Sequence, residues 1–115
     1  AAPINIFSLA YPEKSSNWTN RFQMFATENM WTFILLDSYN GRLWQVQYST
    51  QDLDNLFCIP INKYELVENN ERCIFSIQPL TSMYQYYLIN DNTGDMWKFQ
   101  WSTKGDDYRW IERFR

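Results

Sequence analysis

Paired carboxylates are the first candidates for chemistry in this sequence. Asp52 and Asp54 stand together in one polar stretch, and Asp106 and Asp107 in another. Two acids flanking a sugar are the machinery of glycosidases, and clustered carboxylate oxygens hold calcium. Neither stretch has the central glycine and distal glutamate of a calcium loop. Exposed acids are more commonly solvated turn residues, and these acids are expected to be so. The chain has no histidine, which removes Ser-His-Asp and Cys-His catalysis and histidine-ligated metals. With three glycines in all, it has no phosphate-cradling loop. Nothing positive points to an enzyme, a metal or a cofactor.

Two further groups of side chains remain. Cys58 and Cys73 allow one disulfide or two thiols. Each aligns with an apolar residue in the duplication described below, Cys58 with Ile111 and Cys73 with Phe22. Free cysteine behaves as a small buried hydrophobe, so two buried thiols are favoured. A bridge between neighbouring antiparallel strands stays geometrically allowed. The last group is a set of aromatics outside the strands: Tyr11, Trp18, Tyr39 and Tyr64. Loop aromatics beside amides stack sugars or hold partner side chains. They also serve as local plugs over the open end of a core, and the plug reading is weighed ahead.

These residues are positioned by a duplication. Residues 30–50 lie over 83–103 without a gap, at an offset of 53. Met30/Met83, Leu35/Leu88, Gly41/Gly94, Trp44/Trp97, Gln47/Gln100, Ser49/Ser102 and Thr50/Thr103 are identical. Upstream, Arg21 aligns with Arg72 at an offset of 51. The period within each copy is two: Trp44, Val46 and Tyr48 alternate with polar residues, as do Trp97, Phe99 and Trp101. That alternation predicts half-buried strands. Strands are predicted near 22–26, 31–36, 43–49 and 57–61 in the first copy. In the second they are predicted near 73–77, 84–89, 96–102 and 108–114, with essentially no helix. Residues 4–9 read as one extra strand. Asp37 to Gly41 and Asn90 to Gly94 read as hairpin turns, with Asp or Asn bonding the backbone two residues on and Gly supplying positive φ.

The expected fold is all-β: two tandem four-stranded antiparallel meanders with internal pseudo-two-fold symmetry. One domain spans 1–115, with repeats at about 21–61 and 72–114 and an N-terminal strand and loop over 1–20. Closure as a small barrel, a sandwich or a minimal propeller-like unit is left open. Trp44, Trp97, Trp101 and Trp110 face aromatics in the other copy and are expected in the core. The two tryptophan stripes are expected to meet there. The aromatics that escape duplication, Tyr11, Trp18, Tyr39 and Tyr64, are expected at one end of the sheets.

Leu35-Leu36-Asp37-Ser38-Tyr39-Asn40-Gly41-Arg42-Leu43-Trp44, and the matching run ending at Trp97, resemble the L-D-x-x-T-G-x-x-W segment of bacterial β-propeller blades. They are similar to the tryptophan-docking repeat of pyrroloquinoline-quinone dehydrogenases and related outer-membrane assembly propellers. The resemblance implies that Asp37 and Gly41 shape the hairpin and that the tryptophans pack between neighbouring blades. Trp44 and Trp97 stand three residues after glycine rather than four, Asn90 replaces the usual Asp, and only two units are present. No quinone-binding or metal-binding position of those enzymes has a counterpart, so their activity is not implied.

A formal net charge of −3 and a pI near 4.8 argue against a nucleic-acid partner, and no apolar run is long enough to span a bilayer as a helix. The chain opens on Ala1-Ala2-Pro3, which fits either a trimmed start or a removed signal peptide. With its eleven asparagines and abundant aromatics, it suits an exported bacterial β-protein of the periplasm or cell surface. The functional expectation is a non-catalytic interaction module with a protein partner or a second copy. The alternative is a small carbohydrate-binding domain using the loop aromatics.

Overall fold

The computed structural model describes residues 20–48, 56–68, 72 and 74–115. Its first sheet runs β1 (Phe22–Ala26), β2 (Thr32–Asp37), β3 (Arg42–Gln47) and β4 (Phe57–Pro60). A second sheet runs β5 (Phe75–Pro79), β6 (Gln85–Asn90), β7 (Met96–Gln100) and β8 (Trp110–Arg113). Each is an antiparallel meander whose spatial order is its chain order. Among the described residues the only helical element is one 3₁₀ turn, Asp106–Tyr108, immediately before β8. The sheets do not join into a closed barrel. They stack through one apolar core.

Local chemistry accounts for the two long hairpins. Gly41 N–H donates to Asp37 O at 2.9 Å and Gly94 N–H to Asn90 O at 2.7 Å. Both glycines sit near φ +80°, where an L-residue is disfavoured. The Asp37 carboxylate accepts from Tyr39 N–H at 3.1 Å. The Asn90 amide oxygen accepts from Asn92 and Thr93 N–H in the same way. An amide oxygen therefore replaces a carboxylate without changing the turn.

Register decides which side chains share a face. In the first sheet Trp44, opposite Leu35, shares a face with Phe33, Val46 and Cys58. Leu43, opposite Leu36, shares the other face with Ile34 and Gln45. We call these the front and the back. By the offset of 53, Trp97 and Phe99 lie on the front of the second sheet, with Leu88 and Tyr86 opposite them. The core combines Phe25, Ile34, Leu36, Leu43 and Ile61 with Phe75, Ile77, Tyr86, Leu88, Trp97, Phe99 and Trp101. The back of the first sheet thus meets the front of the second.

That packing corrects one expectation. The two tryptophan stripes do not meet. Trp97 and Trp101 are in the core, whereas Trp44 is half-buried on the outward front of the first sheet and Trp110 half-buried on the outer face of the second. Equivalent positions keep their face within their own sheet, but a same-sense stack covers only one of the two fronts.

Both sheets are bolted together by polar groups as well. Gln45 is fully buried in the seam. Its Oε1 accepts from Ser102 N–H at 3.1 Å and from Arg109 Nε–H at 2.8 Å, which satisfies donors that would otherwise be left unpaired. At the other end, the first hairpin gathers three separate stretches of backbone. Ser38 N–H donates to Arg21 O, Ile74 and Phe75 N–H donate to Ser38 O, and Leu66 and Val67 N–H donate to Asn40 O.

Candidate interaction surfaces

The hairpin end carries two of the four loop aromatics singled out above. Tyr39 lies in the turn between β2 and β3, with the Arg21 guanidinium 5.0 Å from its ring centroid. Arg21 also grips Asp37 with two nitrogens, Nε at 3.0 Å and Nη2 at 3.0 Å. The Asp37 bond holds the guanidinium above its ordinary pKa, with Tyr39 and Glu65 adding in the same direction. The connector that follows β4 is tied to the same hairpin by its Leu66 and Val67 amides, which brings Tyr64 to this end. Tyr64 is 78% exposed. The order of the meander accounts for the end shared by Tyr39 and Tyr64. Trp18 and Tyr11 lie outside the described residues, as do Asp52, Asp54 and Cys73.

A larger apolar surface is the front of the first sheet. Phe22 is 45% exposed and Trp31 37%, and Met24, Phe33, Leu35, Trp44, Val46 and Tyr48 are half-buried. Their rings pack against one another: Phe22 on Trp44 at 6.5 Å, Trp31 edge-on to Tyr48 at 5.4 Å, Phe33 stacked on Tyr48 at 5.8 Å. The Arg42 guanidinium caps Trp44 at 5.0 Å, a cation–π contact. The second sheet repeats the motif, with Tyr84 on Trp101 at 4.7 Å and Tyr86 on Phe99 at 5.5 Å. There the back of the first sheet lies over it. Among the described residues no strand lies over the front of the first.

Cys58 belongs to this open face. It is an exposed free thiol directly opposite Val46, which overturns the expectation of a buried one. Its counterpart Ile111 sits on the covered front and packs against the core. The part of Cys58 that rests on the sheet is desolvated, which pushes its pKa up and keeps it thiol. Burial likewise pushes the Tyr86 hydroxyl up. At the far edge, hydrogen bonds from Arg113 and Thr93 hold the exposed Asp95 carboxyl below its usual range.

Sequence reasoning missed a cleft of about 200 Å³ at the end opposite Tyr39. Tyr84, Gln100, Thr103, Lys104 and Tyr108 contribute to its walls. Tyr84 and Tyr108 are 40% and 50% exposed. The predicted strand over 108–114 hid it, because Tyr108 belongs instead to the 3₁₀ turn that forms one wall. Among the described residues, no three carboxylates or thiols gather where they could hold a metal, and no helix is long and apolar enough to cross a membrane.

No protein family, curated protein or solved structure matches this chain.

Proposed function

We propose that the chain is a non-catalytic interaction module whose working surface is the aromatic front of its first sheet. One observation carries this reading. The same face in the second copy is buried under a neighbouring sheet, while here no strand among the described residues lies over it. Contiguous exposed apolar surface of this kind marks an interaction site. Its aromatic and arginine content is that of binding hot spots. The blade-like hairpins are in keeping with it, since the repeat they resemble packs its tryptophan between neighbouring sheets.

Cys58 supplies the test. A photo-activated crosslinker attached to this thiol should capture a protein partner, and Val46→Lys, placed beside it on the same face, should abolish the capture. Absence of any Val46-dependent adduct rejects the reading.

A carbohydrate-binding role is the second reading, and the cleft at Tyr84 and Tyr108 favours it. Two exposed tyrosines beside Gln100, Thr103 and Lys104 offer stacking faces with hydrogen-bonding groups around them. Binding on a glycan array that is lost in Tyr108→Ala and kept in Tyr64→Ala would assign the sugar to this cleft. Loss only in Tyr64→Ala would assign it to the hairpin end.

A further inference from the structure

The internal packing states what kind of surface covers a front face. We propose that the front of the first sheet docks a second copy of this chain, head to tail, against the outer face of that copy's second sheet. This rests on the interaction-module reading and names the partner.

A stack of two repeats has four sheet faces, two fronts and two backs. The front of the second sheet and the back of the first are already spent on each other in the core. A front face takes a back face in that interface. The front that no described strand covers therefore calls for a back in the same condition, and among the described residues that back is the outer face of the second sheet.

Its residues bear this out. Leu36 and Leu43, buried in the core on the back of the first sheet, correspond by the offset of 53 to Ile89 and Met96. Ile34 and Phe57 correspond to Tyr87 and Trp110. All four counterparts are apolar and half-buried on the outer face. Tyr87 packs against Phe114 at 5.7 Å, and Phe114 is 47% exposed. The edge strands of this outer face are more polar, with Gln78 opposite Tyr87 where the first sheet has Phe25 opposite Ile34, and Lys98, the counterpart of Gln45, lies opposite Glu112. Among the described residues, each chain thus displays one front and one back whose inner strands are apolar like those of the faces buried inside it.

A front-to-back contact is heterologous, so it leaves a free front and a free back on the growing assembly. It continues until a ring closes or a filament forms. A four-stranded face covers roughly 300–400 Å² in projection, from strand spacings of about 4.8 Å and rises of about 3.4 Å per residue. One such contact lies at the weak, reversible end of specific interfaces. Association should accordingly depend on concentration.

Sedimentation velocity across a concentration series tests the proposal with two outward-facing variants, Val46→Lys on the front and Ile89→Lys on the outer face. Met96→Lys replaces the latter if it fails to fold by circular dichroism. The wild-type chain should form species larger than dimers as concentration rises, and each variant alone should stay monomeric. An equimolar mixture of the two should stop at a dimer, because one intact front then meets one intact back. An isologous dimer broken by Val46→Lys and indifferent to Ile89→Lys overturns the head-to-tail contact. So does a mixture that stays monomeric. A wild-type chain that is monomeric throughout overturns self-association. If its Cys58-linked crosslinker still captures another protein in a Val46-dependent way, the module reading survives. If it captures nothing, both fall.

Discussion

Replacing Gly41 and Gly94 by alanine, one at a time, measures how firmly the first hairpin is clamped against the second sheet. The two glycines close equivalent turns at φ 81° and 80°. Alanine at either should lose about 1–2 kcal/mol to the left-handed backbone. Around Gly94 nothing lies within 4 Å of the added Cβ, so the cost should end there. At Gly41 the added Cβ would stand 2.9 Å from Leu66 Cδ1 and 3.0 Å from Phe75 Cζ. The Leu66 methyl can swing aside. The Phe75 ring is buried in the core and packs on Trp97 at 5.8 Å, so it cannot retreat cheaply. Overpacking of this kind costs about 1–3 kcal/mol. Gly41→Ala should therefore lose about 2–5 kcal/mol in all, out of the roughly 5–15 kcal/mol that holds a domain of this size. Equilibrium urea titration of both variants reads the difference, with the slope checked for two-state behaviour. If the two cost the same within about 0.5 kcal/mol, the hairpin is not packed on Phe75 and the stacking geometry is wrong.

Trp97→Ala should cost about 3–5 kcal/mol, the range for a large aromatic in the core. Trp44→Ala, covered on one side only, should cost about 1–2 kcal/mol; equal losses by denaturant titration would mean the front is covered. Gln45→Ala should destabilise by about 1–3 kcal/mol, because it strands the Ser102 N–H and the Arg109 guanidinium. Gln45→Glu, which keeps the acceptors, should restore most of that loss, and hydrogen exchange at the Ser102 amide should track both. Native Cys58 should react with iodoacetamide in dilute solution without denaturant, but more slowly than free cysteine at pH 8, because its raised pKa leaves less thiolate. Above the ordinary thiol range the unfolded chain releases that proton first, so this group lowers stability there. A requirement for urea, read by peptide mapping, would refute its exposure.

Strands and hairpins were legible in the sequence because their signals are local. Alternation sets which residues share a face, and Asp37, Gly41, Asn90 and Gly94 set the turns through bonds that span only a few residues. The choice of inward face was not legible. Residues 33 to 36 read Phe-Ile-Leu-Leu and are apolar on both sides, so the pattern cannot say whether Leu36 or Trp44 looks into the core. Duplication made this worse, since it suggests that equivalent residues share an environment. Coverage depends on a neighbouring sheet, and a stack of two has two unlike ends. Gln45 escaped for a related reason. Beside Trp44 and Val46 it reads as a solvent-facing residue, and its partners lie 57 and 64 positions away. At the candidate surfaces, the company of Tyr39 and Tyr64 was readable from the order of turns. The Tyr84–Tyr108 cleft was not, because its walls come from strand ends and a 3₁₀ turn.

The first hairpin also has a consequence in time. Ser38 and Asn40 accept backbone bonds from Leu66, Val67, Ile74 and Phe75, so the start of the second sheet is laid down on a turn belonging to the first. The Asp91 N–H of the second hairpin bonds Ile74 O at 2.6 Å, a contact within the second sheet itself. Closing the β2–β3 turn is a local event, fast and cheap in chain entropy, whereas docking β5 spans most of a repeat. The first copy is then the template on which the second assembles. Loosening the turn at Asp37 or Asn40 should slow refolding of the whole chain, while loosening it at Asn90 should mainly hasten unfolding.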